Sequence, residues 1–116
     1  MKVEHYKKTE ARKVKIDGAE NVRMRWLISH REKAPHFAMR MFEIDRGGHT
    51  PLHSHDTEHE VFILSGQGEI MMDKNVIDFQ SGYVIYVPPD ITHQFRNTGE
   101  DTLQFLCLIP HEKDKK

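Results

Sequence analysis

Apolar and polar residues alternate with a period of two along most of this chain, the spacing of side chains on a strand that shows one face to a core and the other to water. Val22, Met24, Trp26 and Ile28 follow this rule, as do Val14 and Ile16 before the turn-rich Asp17-Gly18-Ala19-Glu20-Asn21. Residues 36–44 are apolar on both faces, as in a central strand. Within them Phe37, Met39 and Met41 share a parity, offering either a stripe of core or one wall of a pocket. Further strand patterns cover 59–64, 69–72, 76–79, 83–87, 92–97 and 103–109. Between them stand Asp45-Arg46-Gly47-Gly48, Ser65-Gly66-Gln67-Gly68, Asp73-Lys74-Asn75, Gln80-Ser81-Gly82, Pro88-Pro89-Asp90 and Thr98-Gly99-Glu100-Asp101, each with turn chemistry. No stretch carries a convincing helical period. About nine or ten short strands at close spacing predict an all-β sandwich or barrel.

The chain has 116 residues, which suits one domain with its own core. We read it as a single unit, 1–116: a barrel over about 37–109, N-terminal strands or an arm over 1–36, and a Lys-rich tail over 110–116 expected to be disordered. The first dozen residues are polar and carry little pattern, as in a frayed end or an arm held by a partner chain. Charge is mixed, with 17 Lys and Arg against 18 Asp and Glu and a net charge of −1, so nothing calls for nucleic acid or an anionic membrane. No stretch approaches the roughly 18 apolar residues of a spanning helix. With one cysteine, Cys107, an intrachain disulfide is excluded, in keeping with a reducing, cytoplasmic setting. Cys107 sits in an apolar final strand and reads as a small buried hydrophobe.

The chemistry concentrates in 47–68. His53 and His55 are two apart, so on extended backbone both imidazoles project to one side. His59 shares a face with Val61 and Ile63 and points inward. Imidazoles converging on one face are costly to bury unless something satisfies their nitrogens, and a metal ion is the simplest partner. His93 lies far downstream, beyond Pro88 and Pro89, and carries weight only with the others. By parity Phe95 and Asn97 share its face.

These residues resemble the two signature motifs of the cupin superfamily. Gly47, His53, His55 and Gly66 match the first, with His59 where the family usually has glutamate; Gly82, Pro88, His93 and Asn97 match the second, with Asp90 in place of a glycine. The resemblance implies a double-stranded β-helix, or jelly roll, with turn glycines at Gly47, Gly66 and Gly82 and one metal in the barrel mouth. The implied ligands are His53, His55, His93 and the residue in the glutamate place. Counting from Gly66 gives His59; counting four residues past His55 gives Glu60, whose parity sends it to the opposite face. A four-histidine site is the expectation, as in a subset of small stand-alone cupins.

Imidazole-rich sites suit iron, nickel, copper or zinc, and manganese enters at octahedral sites; the resemblance places manganese first and iron second. Four neutral imidazoles leave the metal's charge uncompensated, which favours a small, oxygen-rich carboxylic acid in an apolar pocket whose candidate walls are Phe95, Val61, Ile63, Asn97, Met39 and Met41. Arg40 and Arg96 read first as solvated surface and second as carboxylate anchors. Glu58 and Glu60 lie away from His59, so no carboxylate proton shuttle stands beside the metal. Three hypotheses follow: an oxygenase-like or related enzyme, a non-catalytic metal-mediated binding or sensing module, and a metal-free jelly roll acting in assembly. The resemblance also implies a homodimer that covers the edge near Val14. Ligand imidazoles must be neutral, so metal loss is expected between roughly pH 6.5 and 5.

Overall fold

The computed structural model describes residues 1–111. Its nine strands run β1 (Arg12–Lys13), β2 (Glu20–Ile28), β3 (Phe37–His49), β4 (His59–Ser65), β5 (Gln67–Met72), β6 (Asn75–Gln80), β7 (Val84–Val87), β8 (His93–Asn97) and β9 (Leu103–Pro110), with two single 3-10 turns at Tyr6–Lys8 and His30–Glu32. The sheet order is β6-β5-β8-β3-β9-β4-β7, with β2 on β3 and β1 on β2. All the pairings are antiparallel. This is the all-β jelly roll that the alternation predicts.

β3 is the strand that lets one sheet serve as two layers. Over 37–44 it pairs with β9, and its end turns away so that His49 pairs with Arg96 of β8. The turn expected at 45–48 is therefore a bend inside a strand. Opposite β2, the register passes from Val22↔Ile44 to Glu20↔His49, so Asp45–Gly48 oppose the single residue Asn21. Asn21 and Gly47 take φ of 54° and 78° to absorb the excess, the local kink and twist of a bulge.

The layers close on aromatics. Phe105 of β9 stacks on Phe95 of β8 at 4.7 Å and on Phe42 of β3 at 5.2 Å, with Val22, Ile44, Ile63, Ile70, Leu103 and Val87 filling in around them. These fully buried apolar groups hold the layers together, because each large side chain removed from water contributes about 1.5–3 kcal/mol. Gly66 turns β4 into β5 at φ +91°, and an added Cβ would sit 3.0 Å from the Leu103 backbone, so both conformation and space require glycine. Gly47 and Gly82 also have positive φ. So has Asp90, at 66°, which explains the departure there: the position needs the left-handed conformation, and aspartate tolerates it better than most residues.

The N-terminal residues pack on their own chain. Arg25 donates to the Thr9 carbonyl at 2.6 Å and stands over the Tyr6 ring at 5.2 Å, while Lys2 donates to the Leu27 carbonyl at 2.7 Å. The expected strand at Val14 and Ile16 reduces to β1 and one bond from Val14 N to Val22 O at 2.8 Å. At the other end, the His111 amide donates to the His36 carbonyl at 3.0 Å, so Pro110 and His111 are held by the fold. The tail expected to be disordered otherwise falls on 112–116, outside the described residues.

Candidate metal centre

The segment carrying His53 and His55 is a loop rather than a strand, tied down at two points. His53 and His93 exchange backbone hydrogen bonds at 3.1 and 2.9 Å as an isolated bridge, and the Asp90 amide donates to the His55 carbonyl at 2.6 Å. Each motif thus fastens the other's backbone. The side chains follow: His53 and His55 bring their Nε2 atoms to 3.0 Å, and ring nitrogens of His53, His55 and His93 all lie within 4.8 Å of one another. Three histidines in this array could hold a metal ion.

His59, at the start of β4, faces the same space. Its ring centroid is 5.0 Å from that of His55 and 5.3 Å from that of His93. Register decides its direction. His59 opposes Val87 on β7 and is buried, whereas Glu60 opposes Tyr86 and Leu108 and is exposed on the outer face, away from the cluster.

Hydrogen bonds set which nitrogens face inward. His93 Nδ1 lies 2.8 Å from the Ile91 carbonyl, an acceptor only, so Nδ1 carries the proton and Nε2 keeps its lone pair. His59 Nδ1 lies 3.3 Å from Cys107 Sγ and 3.3 Å from Arg40 Nη2, and its Nε2 is buried with no hydrogen-bond partner. Arginine only donates, so Nδ1 either accepts from Arg40 or donates to Cys107. The second arrangement leaves Nε2 with a free lone pair. Burial, with nearby cationic charge, lowers the His53 pKa to about 4 and that of His59 to about 3, and lowers that of His55 as well. Imidazoles held neutral, with one buried ring nitrogen left unpartnered, fit a metal's requirements.

The histidines line a cavity of about 330 Å³ with Met24, Phe42, Phe95 and Phe105 among its apolar walls and Arg40 and Cys107 at the side of His59. Of the pocket residues expected from parity, Phe95 is in the wall. Val61 and Ile63 lie in the core, Met41 is buried on the β3 face opposite Arg40 and Phe42, and Met39 shares that opposite face. Asn97 is committed elsewhere. Its side-chain amide donates to the Ile44 and Asp101 carbonyls at 2.8 and 2.9 Å and accepts from the Gly99 amide at 2.8 Å, closing the β8–β9 turn. Asn97→Ala is expected to cost about 2 kcal/mol by stranding these buried groups while leaving metal content unchanged; denaturant melts with elemental analysis check both.

Sequence reasoning placed Arg40 in solvent, and the structure turns it inward. β3 is apolar on both faces, so parity alone gives no sign of which side is the interior; the pairing of Arg40 with Cys107 on β9 supplies it. A signal existed, since Arg40 is the single charge on the face it shares with Ala38, Phe42 and Ile44. Arg96 is exposed, 3.6 Å from Glu69. Cys107 is buried as expected, with burial raising its pKa, but its sulfur also touches His59 and Arg40.

The cupin domain family model matches residues 40–109, spanning both motifs. The chain is a cupin. It is 36% identical over 77 residues to a 1-methylthio-D-xylulose 5-phosphate methylsulfurylase of Rhodospirillum rubrum, a match covering 66% of this chain and 49% of that protein. It is 30% identical over 96 residues to an oxalate-binding protein of Thermotoga maritima, covering 79% and 78%. A polyketide cyclase of Streptomyces resistomycificus has a similar structure, with a TM-score of 0.89 at 29% identity over 95% of this chain and 79% of that one. This cupin spans about half the length of the first two curated relatives it matches. Among its described residues no helix is long and apolar enough to cross a membrane.

Proposed function

We propose that His53, His55, His59 and His93 hold one divalent transition metal, manganese by preference and iron, nickel or zinc as alternatives, to which a small oxygen-rich organic acid binds. The observation that carries this reading is the buried, unpartnered Nε2 of His59 beside three imidazoles whose nitrogens converge. A metal held at Nε2 would leave His59 with its proton on Nδ1, placed to donate to Cys107 Sγ. The bound ion supplies positive charge and Lewis acidity toward a chelating oxygen ligand. The chain's own residues do the rest: the histidines set the position, and Phe42, Phe95 and Phe105 exclude water and strengthen the attraction for an anion. A reducing, cytoplasmic setting belongs to the same reading.

An oxygenase-like or related activity is the first form of this function. Non-catalytic binding or sensing is the second, favoured by the absence of any carboxylate from the cavity wall among the described residues, which leaves no acidic group to shuttle protons. The name of the oxalate-binding relative points the same way. Protein purified without chelator is expected to carry about one metal per chain by elemental analysis, and a metal-free result sinks the reading. An aerobic oxygen-uptake screen over small keto and dicarboxylic acids then separates the forms, since tight binding without uptake selects the second.

A homodimer is part of the proposal. Phe37, Phe62, Val84 and Tyr86 expose 62, 44, 77 and 52% of their surface, more apolar area than strands on a solvated face usually show. Light scattering at working concentration is expected to give twice the chain mass.

A further inference from the structure

We infer that Arg40 is the second anchor of the cavity's ligand, so that the ligand is a metal-chelating acid bearing a second anionic group at its far end. This rests on the metal reading above and adds the substrate class to it.

Arg40 carries a permanent charge into an apolar cavity without a counterion. Among the described residues no carboxylate pairs with it, and the cavity wall contains no acid. Its Nε is buried without a hydrogen-bond partner. Its Nη2 reaches only Cys107 Sγ at 3.1 Å and His59 Nδ1 at 3.3 Å, and neither a thiol nor a neutral imidazole offsets a full charge. Once His59 ligates a metal its Nδ1 carries a proton and no longer accepts from Arg40, which leaves the guanidinium with the sulfur alone.

Arg40 is partly buried, and a cation among apolar walls without a carboxylate partner is costly to desolvate, a cost that an anionic ligand would offset. The group is also pre-positioned. Its Cζ lies 4.9 Å from the centre of the Phe42 ring and 5.7 Å from that of Trp26, and these faces orient the guanidinium plane. A planar fork beside a neutral-histidine metal site is arranged for a carboxylate or phosphate oxygen pair. With metal and Arg40 both cationic and no protein acid between them, the ligand must bring the negative charge. A dianion matches the site better than a monoanion.

The test uses the manganese-loaded full chain and calorimetric titration with two chain-matched pairs, 2-oxoglutarate against 2-oxopentanoate and 2-oxoadipate against 2-oxohexanoate. All four present the same chelating head and differ in the far-end charge. At least one dianion is expected to bind about tenfold or more tightly than its partner, the range of a charge-assisted hydrogen-bonded contact. Arg40→Met is expected to bring that ratio below about twofold while the protein still loads manganese, and Arg40→Lys to keep part of it. No preference for either dianion in the wild type, a preference that survives Arg40→Met, or metal loss in Arg40→Met overturns the inference, the last by making Arg40 a positioning residue for His59. Failure to load metal is instead failure of the underlying metal reading, whereas loading without binding of any of the four acids overturns the inference.

Discussion

Replacing His93 with alanine is expected to leave the protein folded and strip its metal, with content falling from about one ion per chain to below about a tenth. His93 supplies a lone pair fixed by the Ile91 carbonyl, while its backbone bridge to His53 survives the substitution and keeps the His53 loop in place. Loss of an outer hydrogen-bond partner alone typically costs about 10–100-fold in metal affinity, and loss of the ligand itself costs more. His59→Ala is expected to move the same way. His49→Ala is the control, because His49 lies on β3 with its Nδ1 against the Thr50 carbonyl, outside the cluster. Elemental analysis of the three variants after gel filtration decides the matter. Metal retained at full stoichiometry in His93→Ala would refute the assignment.

Acid is expected to begin destabilising the metal-free protein before its carboxylates titrate. The folded state holds His53 and His59 neutral, with pKa values of about 4 and 3, while the unfolded chain titrates them near 6.5. Between those limits the unfolded state binds more protons, so stability is full above about pH 6.5 and drains away as pH falls toward 3. At about 1.4 kcal/mol for each pH unit of displaced titration, the pair is worth on the order of 5 kcal/mol, with His59 supplying most of it and partly exposed His53 discounted for solvent screening. Such a loss is comparable to the whole stability of a small domain. Denaturant melts between pH 7 and 4 should show it, and a flat profile would contradict it.

The same displacement revises the expected metal release. Protons compete with a metal at and below the pKa of the free ligand, so lowered values carry retention below the window of about pH 6.5 to 5 that ordinary histidines predict. Equilibrium dialysis is expected to place half-release below about pH 5. Release complete by pH 6 would mean that the histidines are not desolvated as the structure has them.

Much of this molecule is legible in one dimension because strands advertise themselves locally. The alternation in β2, the apolar runs of β7 and β9 and the prolines after β7 are consequences of neighbouring side chains pointing to opposite faces. The convergence of His53, His55 and His93 was legible too, through motif spacing rather than through strand geometry, since His53 and His55 lie in a loop. The parity argument reached the right arrangement of His59 and Glu60 because β4 has one wet face.

Where both faces of a strand are apolar, parity loses its sign. β3 is such a strand, and the walls assigned from it and from shared faces elsewhere, Phe95 excepted, were the ones the fold placed differently. Met39 and Met41 went to the opposite side, Val61 and Ile63 into the core, and Asn97 to a turn. The bend at 45–48 was missed for a related reason: glycines read as a turn, yet pairing on both sides of β3 carried the strand through it.

By itself the sequence determined an all-β chain, most of its turns and the two motifs, because each is fixed by residues near one another along the chain; that His93 meets His53 and His55 it offered only through the resemblance. Only the tertiary structure decided that Arg40 enters the cavity, that Cys107 touches His59, and that the His59 Nε2 is left without a partner. Those facts depend on which strand lies beside which. Register between β3, β4 and β9 is a property of distant segments meeting, and no local pattern encodes it.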